Sequence, residues 1–361
     1  MKPCVVLYAS IGNNVPAYLI GGGETGTRRT IRILNESGFD TMVVDKAIMG
    51  LGVKQYIKMI VQGFLNIWKK LKKDPNAIMF VVGYYERNLW FEWLVIAMAK
   101  WMGHRCVYEA RNGRLVTAYN AAGKLYQHFM LDLLKRADIV LCQGTEYVDF
   151  ITQKLKRDSV YVPNYVMDDK LMPYKEREKD GVIEIVYSGR LVESKNIEMI
   201  IEVISLLKNR GYKAKLTLIG GGTDDYTDRL KKTIADRNLV EDVLFTGHIS
   251  FDEVSRYLSE AHYFLFPSQE IKEGHSNSLT EAMAFGVVPL VSTAGFSPSI
   301  VNDKYLVIPE IDPVKYADKI CEIRQNGCWE KYSRAMFDRV RTYYTEACVR
   351  EKVVNAFKSL I

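Results

Sequence analysis

Glu273 and Glu281 stand with seven residues between them, flanking the polar stretch Gly274-His275-Ser276-Asn277-Ser278. The run from Glu281 to Gly286 then reads as a helix, and the segment follows an apolar strand, Tyr263–Phe266. A helix start aims backbone amides at an anion, so the N–H groups of Asn277, Ser278 and Leu279 suit a phosphate. Carboxylates beside an anion make sense if they hold something uncharged: they accept hydrogen bonds, and sugar hydroxyls donate them. One glutamate for a hexose and one for a ribose fits; a salt-bridged surface helix is the alternative. A second loop, Ser188 to Asn196, follows another strand-like run and carries Gly189, Arg190 and Lys195. Arg190 as a planar fork and Lys195 as a point charge could meet one anionic group, or be two solvated cations. A third loop, Leu19 to Thr27, has three consecutive glycines. Gly21, Gly23 and Gly26 match the bare dinucleotide pattern, but about ten polar residues separate them from the strand where that fingerprint needs a tight turn.

These loops need strands to position them. Strand-like runs fall at Val5–Tyr8, Thr41–Val44, Ile78–Val82, Arg105–Tyr108, Ile139–Cys142 and Val160–Val162, with helical runs between at 27–37, 53–73, 89–102 and 122–137. The alternation restarts after Pro163-Asn164 and runs to about residue 291. Repeated strand–helix units predict parallel sheets covered on both faces. We therefore expect an α/β chain of two doubly wound, Rossmann-like domains, 1–165 and 166–341, facing each other across a cleft. The closing stretch is helical, and a terminal helix near 342–361 is expected to pack back on the first domain. The 361 residues, 48% hydrophobic and 25% charged, suit two soluble domains. Six cysteines without metal spacing predict thiols in a reducing cytoplasm. We expect no signal peptide, since the first apolar run is too short, and no membrane span.

The motifs together resemble the retaining GT-B glycosyltransferases of family 4. The specific matches are Gly189-Arg190-Leu191 with Lys195-Asn196, then Pro267-Ser268, Glu273, and Glu281-Ala282-Met283-Ala284 with Gly286 and Pro289. Looser ones are Gly21-Gly22, Ala137-Asp138, Val162-Pro163-Asn164 and Phe245-Thr246-Gly247-His248. The resemblance implies transfer of a sugar from a nucleotide diphosphate sugar (UDP first, GDP second) to a growing surface polysaccharide or lipid-linked glycan. It casts Glu273, Arg190 and Lys195 as catalytic, with Glu273 on the donor sugar and the two cations on the diphosphate. Glu281 would take the ribose hydroxyls; Gly22, Gly189, His248, His275, Asn277, Ser278 and Leu279 complete the donor site. No cofactor and no divalent metal are implied, and Asp224-Asp225 and Asp168-Asp169 lack the spacing of a metal-binding Asp-x-Asp. Retention would proceed by front-face attack. Relatives often carry a histidine after the fourth strand, where this chain has Glu109-Ala110-Arg111-Asn112. Glu109 and Arg111 then either face the acceptor or form a structural ion pair. The rivals are a nucleotide-sugar epimerase on the same scaffold and a non-catalytic nucleotide-sugar-binding protein.

Charge is uneven. Residues 1–165 hold 22 Lys and Arg against 13 Asp and Glu, whereas residues 166–361 hold 27 against 30. The basic first half suits an anionic partner. Lys54 to Lys73 reads as a basic amphipathic helix with six lysines and an apolar set of Ile57, Ile60, Val61, Phe64, Leu65, Trp68 and Leu71. Such a set usually marks burial, but the charge, with Trp90, Trp93 and Trp101 nearby, predicts peripheral association with the anionic inner-membrane surface. Nucleic acid is not expected, since no reading motif is present.

Overall fold

The computed structural model describes residues 2–12, 22–46, 53–177, 181–270 and 272–361, so Leu19, Ile20 and Gly21 of the third loop lie outside the described residues. The chain divides into two compact units. One is Met1–Asn164 with Ala347–Ile361; the other is Tyr165–Glu346.

Unit 1 is built on β1 (Cys4–Ala9), β2 (Asp40–Asp45), β3 (Ile78–Gly83), β4 (Cys106–Ala110), β5 (Ile139–Cys142) and β6 (Val160–Tyr161). They form one parallel sheet in the order β2-β1-β3-β4-β5-β6. Every residue of β1, β3 and β4 is buried, which is why they read as unbroken apolar runs. The intervening helices are α1 (Gly22–Glu36), α2 (Val53–Lys73), α3 (Leu89–Trp101), α4 (Leu115–Ala121), α5 (Lys124–Arg136) and α6 (Thr145–Leu155).

Several boundaries differ from the sequence reading: β4 runs on to Ala110, so Glu109 lies within the strand and not after it, the closing helix starts at Glu346, and two helices of the first part of the chain are cut differently. α1 begins at Gly22, five residues before Thr27, and its glycines allow close approach inside the helix. A Cβ on Gly26 would lie 3.1 Å from an Arg111 guanidinium nitrogen. The stretch 122–137 is preceded by a separate helix, and Ala122 and Gly123 adopt extended backbone between α4 and α5. Gln127 Nε2 donates to the Ala122 carbonyl at 3.1 Å and, at 2.9 Å, to the Tyr119 carbonyl, which also accepts from the Ala122 amide at 3.2 Å.

Unit 2 carries β7 (Ile183–Ser188), β8 (Ala214–Ile219), β9 (Val243–Gly247), β10 (Tyr263–Phe266) and β11 (Val288–Val291), parallel in the order β11-β10-β7-β8-β9. Its helices are α7 (Ile197–Asn209), α8 (Asp224–Asp236), α9 (Phe251–Glu260), α10 (Asn277–Ala284), α11 (Ser297–Val301), α12 (Pro313–Gln325) and α13 (Trp329–Tyr343). The last helix, α14 (Glu346–Lys358), belongs to unit 1 from Ala347 onward. There Phe357 is fully buried, its ring meeting Phe80 and Phe39 edge-on at 5.2 and 5.9 Å.

The order of each sheet creates a switch point, where chain progression reverses and the loops leave on opposite sides, opening a crevice. In unit 2 the switch lies between β7 and β10, the strands that feed the two loops singled out by their chemistry.

Candidate active site

The loop after β7 is shaped by glycine. Gly189 has φ +151° and Gly220 has φ +122°, and a Cβ on Gly220 would sit 2.0 Å from the Gly189 carbonyl oxygen. A Cβ on Gly222 would likewise meet the Leu191 carbonyl at 2.2 Å. The Gly220-Gly221-Gly222 turn after β8 thus presses backbone to backbone on the β7 loop. The sequence offered this signal as three consecutive glycines after a strand, and only their partner loop was hidden. Asn196, at the end of the loop, takes the left-handed conformation at φ 53°. Its side-chain amide donates to the Pro267 carbonyl at 2.7 Å, joining the β7 and β10 loops.

Across that joint Lys195 and Glu273 meet. Lys195 Nζ pairs with Glu273 Oε2 and lies 3.2 Å from Ser268 Oγ, which itself donates to Glu273 Oε2 at 2.9 Å. Both charged side chains are largely buried, and Lys195 Nζ sits 5.3 Å from the centre of the Phe266 ring. Ser194 Oγ donates to Glu270 at 3.0 Å, and the Gln269 amide donates to the Ser194 carbonyl at 2.7 Å. With its bonds to Lys195 and Ser268 both on Oε2, Glu273 keeps Oε1 as a further acceptor. Arg190 is exposed, and among the described residues it pairs with no carboxylate. The Tyr187 phenol is pushed far up by burial first and by the Glu273 carboxylate second, with Arg190 opposing. Arg190 and Glu273 therefore both act on the foot of the same loop, where Tyr187 Oη donates to the Arg190 carbonyl at 2.9 Å.

α10 starts beside this cluster in sequence. Ser276 is its N-cap and accepts from the Leu279 amide at 3.3 Å, so that amide is occupied. The Asn277 and Ser278 amides have no acceptor among the described residues, and the Asn277 side-chain oxygen is buried without a hydrogen bond. Orphan donors and a buried orphan acceptor in a first helical turn mark a place suited to a polar, anionic ligand. Glu281 lies one turn further along α10 and is half-buried. Gly295 closes the other side: at φ +53° its Cβ position falls 1.8 Å from the Glu273 carbonyl oxygen.

Residues 168–338 match the family model of the glycosyl transferases group 1. Over this segment the chain is similar to the glycosyl transferases group 1. The chain is 37% identical over 115 residues to the amylovoran biosynthesis glycosyltransferase AmsK of Erwinia amylovora, covering 31% of this chain and 28% of that protein. It is 26% identical over 280 residues to the capsular polysaccharide biosynthesis glycosyltransferase CapM of Staphylococcus aureus, covering 71% and 70%. Anabaena HepE in complex with UDP superposes with a TM-score of 0.71 at 12% identity, covering 99% of this chain and 100% of that one. The fold is GT-B. The match to AmsK spans less than a third of that relative's length.

Arg190, Lys195, Glu273, Glu281, Gly189, His248, His275, Asn277, Ser278 and Leu279 all lie inside the group 1 segment. His248 is exposed at the end of β9, and a Cβ on Gly221 would meet its Nε2 at 2.7 Å. His275 is buried, its ring edge-on to Tyr344 at 4.9 Å and its Nδ1 3.4 Å from Thr280 Oγ1. Burial first, then the Arg339 cation, lowers its pKa to about 3, so the ring is neutral. Ser268 was present in the sequence motif, but its bridging position between lysine and glutamate needs two loops to be brought together.

Gly22, Glu109 and Arg111 belong to unit 1. Gly22 is the first residue of α1. Arg111 and Glu109 form a buried two-point ion pair, Nε–Oε1 at 2.7 Å and Nη2–Oε2 at 3.0 Å. The remaining nitrogen donates to the Gly23 carbonyl at 2.7 Å and to Thr27 Oγ1 at 2.9 Å. Of the two alternatives open in the sequence, the geometry builds the ion pair, and it anchors the start of α1. Among the described residues, no group of three His, Cys, Asp or Glu could hold a metal ion.

Proposed function

We propose that the protein is a retaining, metal-independent glycosyltransferase. It moves a sugar from a nucleotide diphosphate sugar, UDP-linked before GDP-linked, to a growing surface polysaccharide or lipid-linked glycan. It works at the cytoplasmic face of an anionic membrane. The carrying observation is the buried Lys195–Glu273–Ser268 joint at the switch point, flanked by exposed Arg190 and the open first turn of α10. The group 1 match, and the UDP bound by HepE, support the same reading.

In this mechanism the diphosphate takes Lys195 and Arg190 as counter-charges, and the Asn277 and Ser278 amides add their dipoles. These groups stabilise charge that grows on the leaving phosphate, the electrostatic task a metal performs elsewhere. Ser268 holds Glu273 while Lys195 turns to the phosphate, and Glu273 accepts hydrogen bonds from the sugar hydroxyls. Glu281 takes the ribose. The acceptor oxygen bonds to the anomeric carbon on the face the phosphate leaves, and its proton passes to the leaving phosphate oxygen.

The test is transfer from a panel of nucleotide sugars, with the product's anomeric configuration read by NMR. Lys195→Ala and Glu273→Ala are each expected to lose at least a hundredfold in kcat with the fold retained by circular dichroism, and activity is expected to persist in a chelator. Normal transfer by Lys195→Ala, or an inverted product, refutes the assignment.

A further inference from the structure

α2 is apolar on two faces. Gly63, Ile67 and Leu71 are buried against unit 1, and Phe64 meets Phe91 of α3 at 6.2 Å between ring centres. Yet Ile57, Val61 and Leu65, spaced by four, are 54%, 52% and 46% exposed. At 100° per residue they form a stripe on the outer flank of the helix, on the side of Phe64 and hence of α3. α3 repeats the pattern. Its buried residues are Leu89, Glu92, Val95, Ile96 and Ala99, while Trp90, Leu94 and Trp101 recur on the opposite side, Trp101 being 84% exposed.

Six large apolar side chains at helical spacing on two touching helices differ from the scattered exposed residues of an ordinary surface. The lysines are placed beside them. Lys54, Lys58, Lys69, Lys72 and Lys73 are exposed on α2, which holds six lysines and no acidic residue. Lys72 Nζ also stacks 5.1 Å from the Trp68 ring centre. Among the described residues no helix is long and apolar enough to cross a membrane.

We infer that the outer face of α2 and α3 is an in-plane docking surface for an anionic lipid bilayer. Ile57, Val61, Leu65, Leu94 and Trp101 enter the headgroup boundary and the lysine row meets lipid phosphates. This deepens the membrane association proposed above and is independent of the sugar chemistry. A helix with an apolar stripe edged by lysine is the form that lies in an interface, and tryptophan is the side chain that settles at that depth. A second copy is the other apolar occupant available. A two-fold pairing through this face would bring the lysine row toward its own image with no acid on α2 to compensate, whereas anionic lipid supplies the missing charge.

The experiment is vesicle co-sedimentation of the full chain, with phosphatidylglycerol–phosphatidylcholine vesicles against phosphatidylcholine alone. Binding is expected only with the anionic lipid and is expected to fall in about 0.5 M salt, where screening is short-ranged. Lys58→Ala with Lys69→Ala is expected to weaken binding about 25-fold, from roughly fivefold per lysine at an anionic surface. Val61→Glu with Leu65→Glu is expected to abolish it while thermal unfolding and donor binding stay at wild-type values, since both side chains are exposed. Trp101 emission is expected to shift to the blue on vesicles. Equal binding by the glutamate variant, equal binding to neutral vesicles, or a lipid-free dimer that the glutamate variant dissolves would each overturn the inference. Loss of sugar transfer in a protein that still binds vesicles would instead count against the proposed chemistry.

Discussion

A neutral imidazole beside a cation is a stored protonation cost, and His275 is that group. Its folded pKa of about 3 lies below the ordinary 6.5, with burial the main cause and Arg339 the second. Between those values the unfolded chain binds the proton and the folded chain does not. The stabilisation is complete above pH 6.5 and declines as pH falls toward 3. Denaturant unfolding of wild type is expected to lose about 2 kcal/mol from this residue between pH 7 and pH 5, at 1.36 kcal/mol per unit. His275→Gln is expected to flatten that slope; an unchanged slope would show that other groups carry it. The residue also marks what was legible. His275 could be placed in the β10–α10 loop by its neighbours, but not buried against Tyr344, which is 69 positions later in the chain. Arg190, Lys195 and Glu273 stood out as charged residues on loops after strands, and the contact that brings Lys195 and Glu273 together was not visible in either loop alone. Ser268 did not stand out, since hydroxyls occur everywhere and only the lysine–glutamate contact gives this one its position.

Strands and loops were the more legible elements, and helix faces the less. Fully buried parallel strands announce themselves as apolar runs bounded by turns, as Val5–Tyr8 and Ile78–Val82 did. α2 did not announce which arc was core: the apolar set read from spacing merges inward Leu71 with outward Ile57, Val61 and Leu65, and it leaves out Ile67, which is fully buried. The glycine turns carry an element-scale prediction. Gly220→Ala must displace the Gly189 carbonyl, 2.0 Å from the new Cβ, and also strain a backbone at φ +122°. Gly211 has φ +86° with nothing within 4 Å, so Gly211→Ala carries strain without a clash. Gly211→Ala is expected to cost about 1–2 kcal/mol in thermal or denaturant unfolding. Gly220→Ala is expected to cost more, and to weaken UDP-sugar binding, because the β7 loop that presents Arg190 and Lys195 must move. Equal costs and unchanged binding would mean that the loop contact is dispensable.

At the scale of the whole chain, sequence order and spatial membership part company after residue 346. Residues Ala347–Ile361 complete unit 1, although 182 positions of unit 2 separate them from its other part, which ends at Asn164. The segment between β6 and β7 and the residues leading into α14 meet in a single bridge here: the Val166 amide donates to the Tyr344 carbonyl at 2.8 Å, and the Glu346 amide to the Val166 carbonyl at 3.0 Å. Beyond this tie, Val349, Val353 and Phe357 recur at helical spacing and are all buried, with Phe357 filling the space between Phe39 and Phe80. Phe80 belongs to β3, the central strand beside β1, so the last helix of the chain seals the core of the first sheet. Truncating a buried phenylalanine typically costs about 3–5 kcal/mol, through lost transfer energy and the cavity left behind. Phe357→Ala is therefore expected to destabilise unit 1 selectively. In native-state hydrogen exchange, the amides of β1, β3 and β4 are expected to lose protection by roughly that amount while those of β7, β8 and β10 keep theirs. Uniform loss across both sheets would mean that the two units unfold as one, and loss confined to α14 would mean that the helix is an appendage to a core already closed without it.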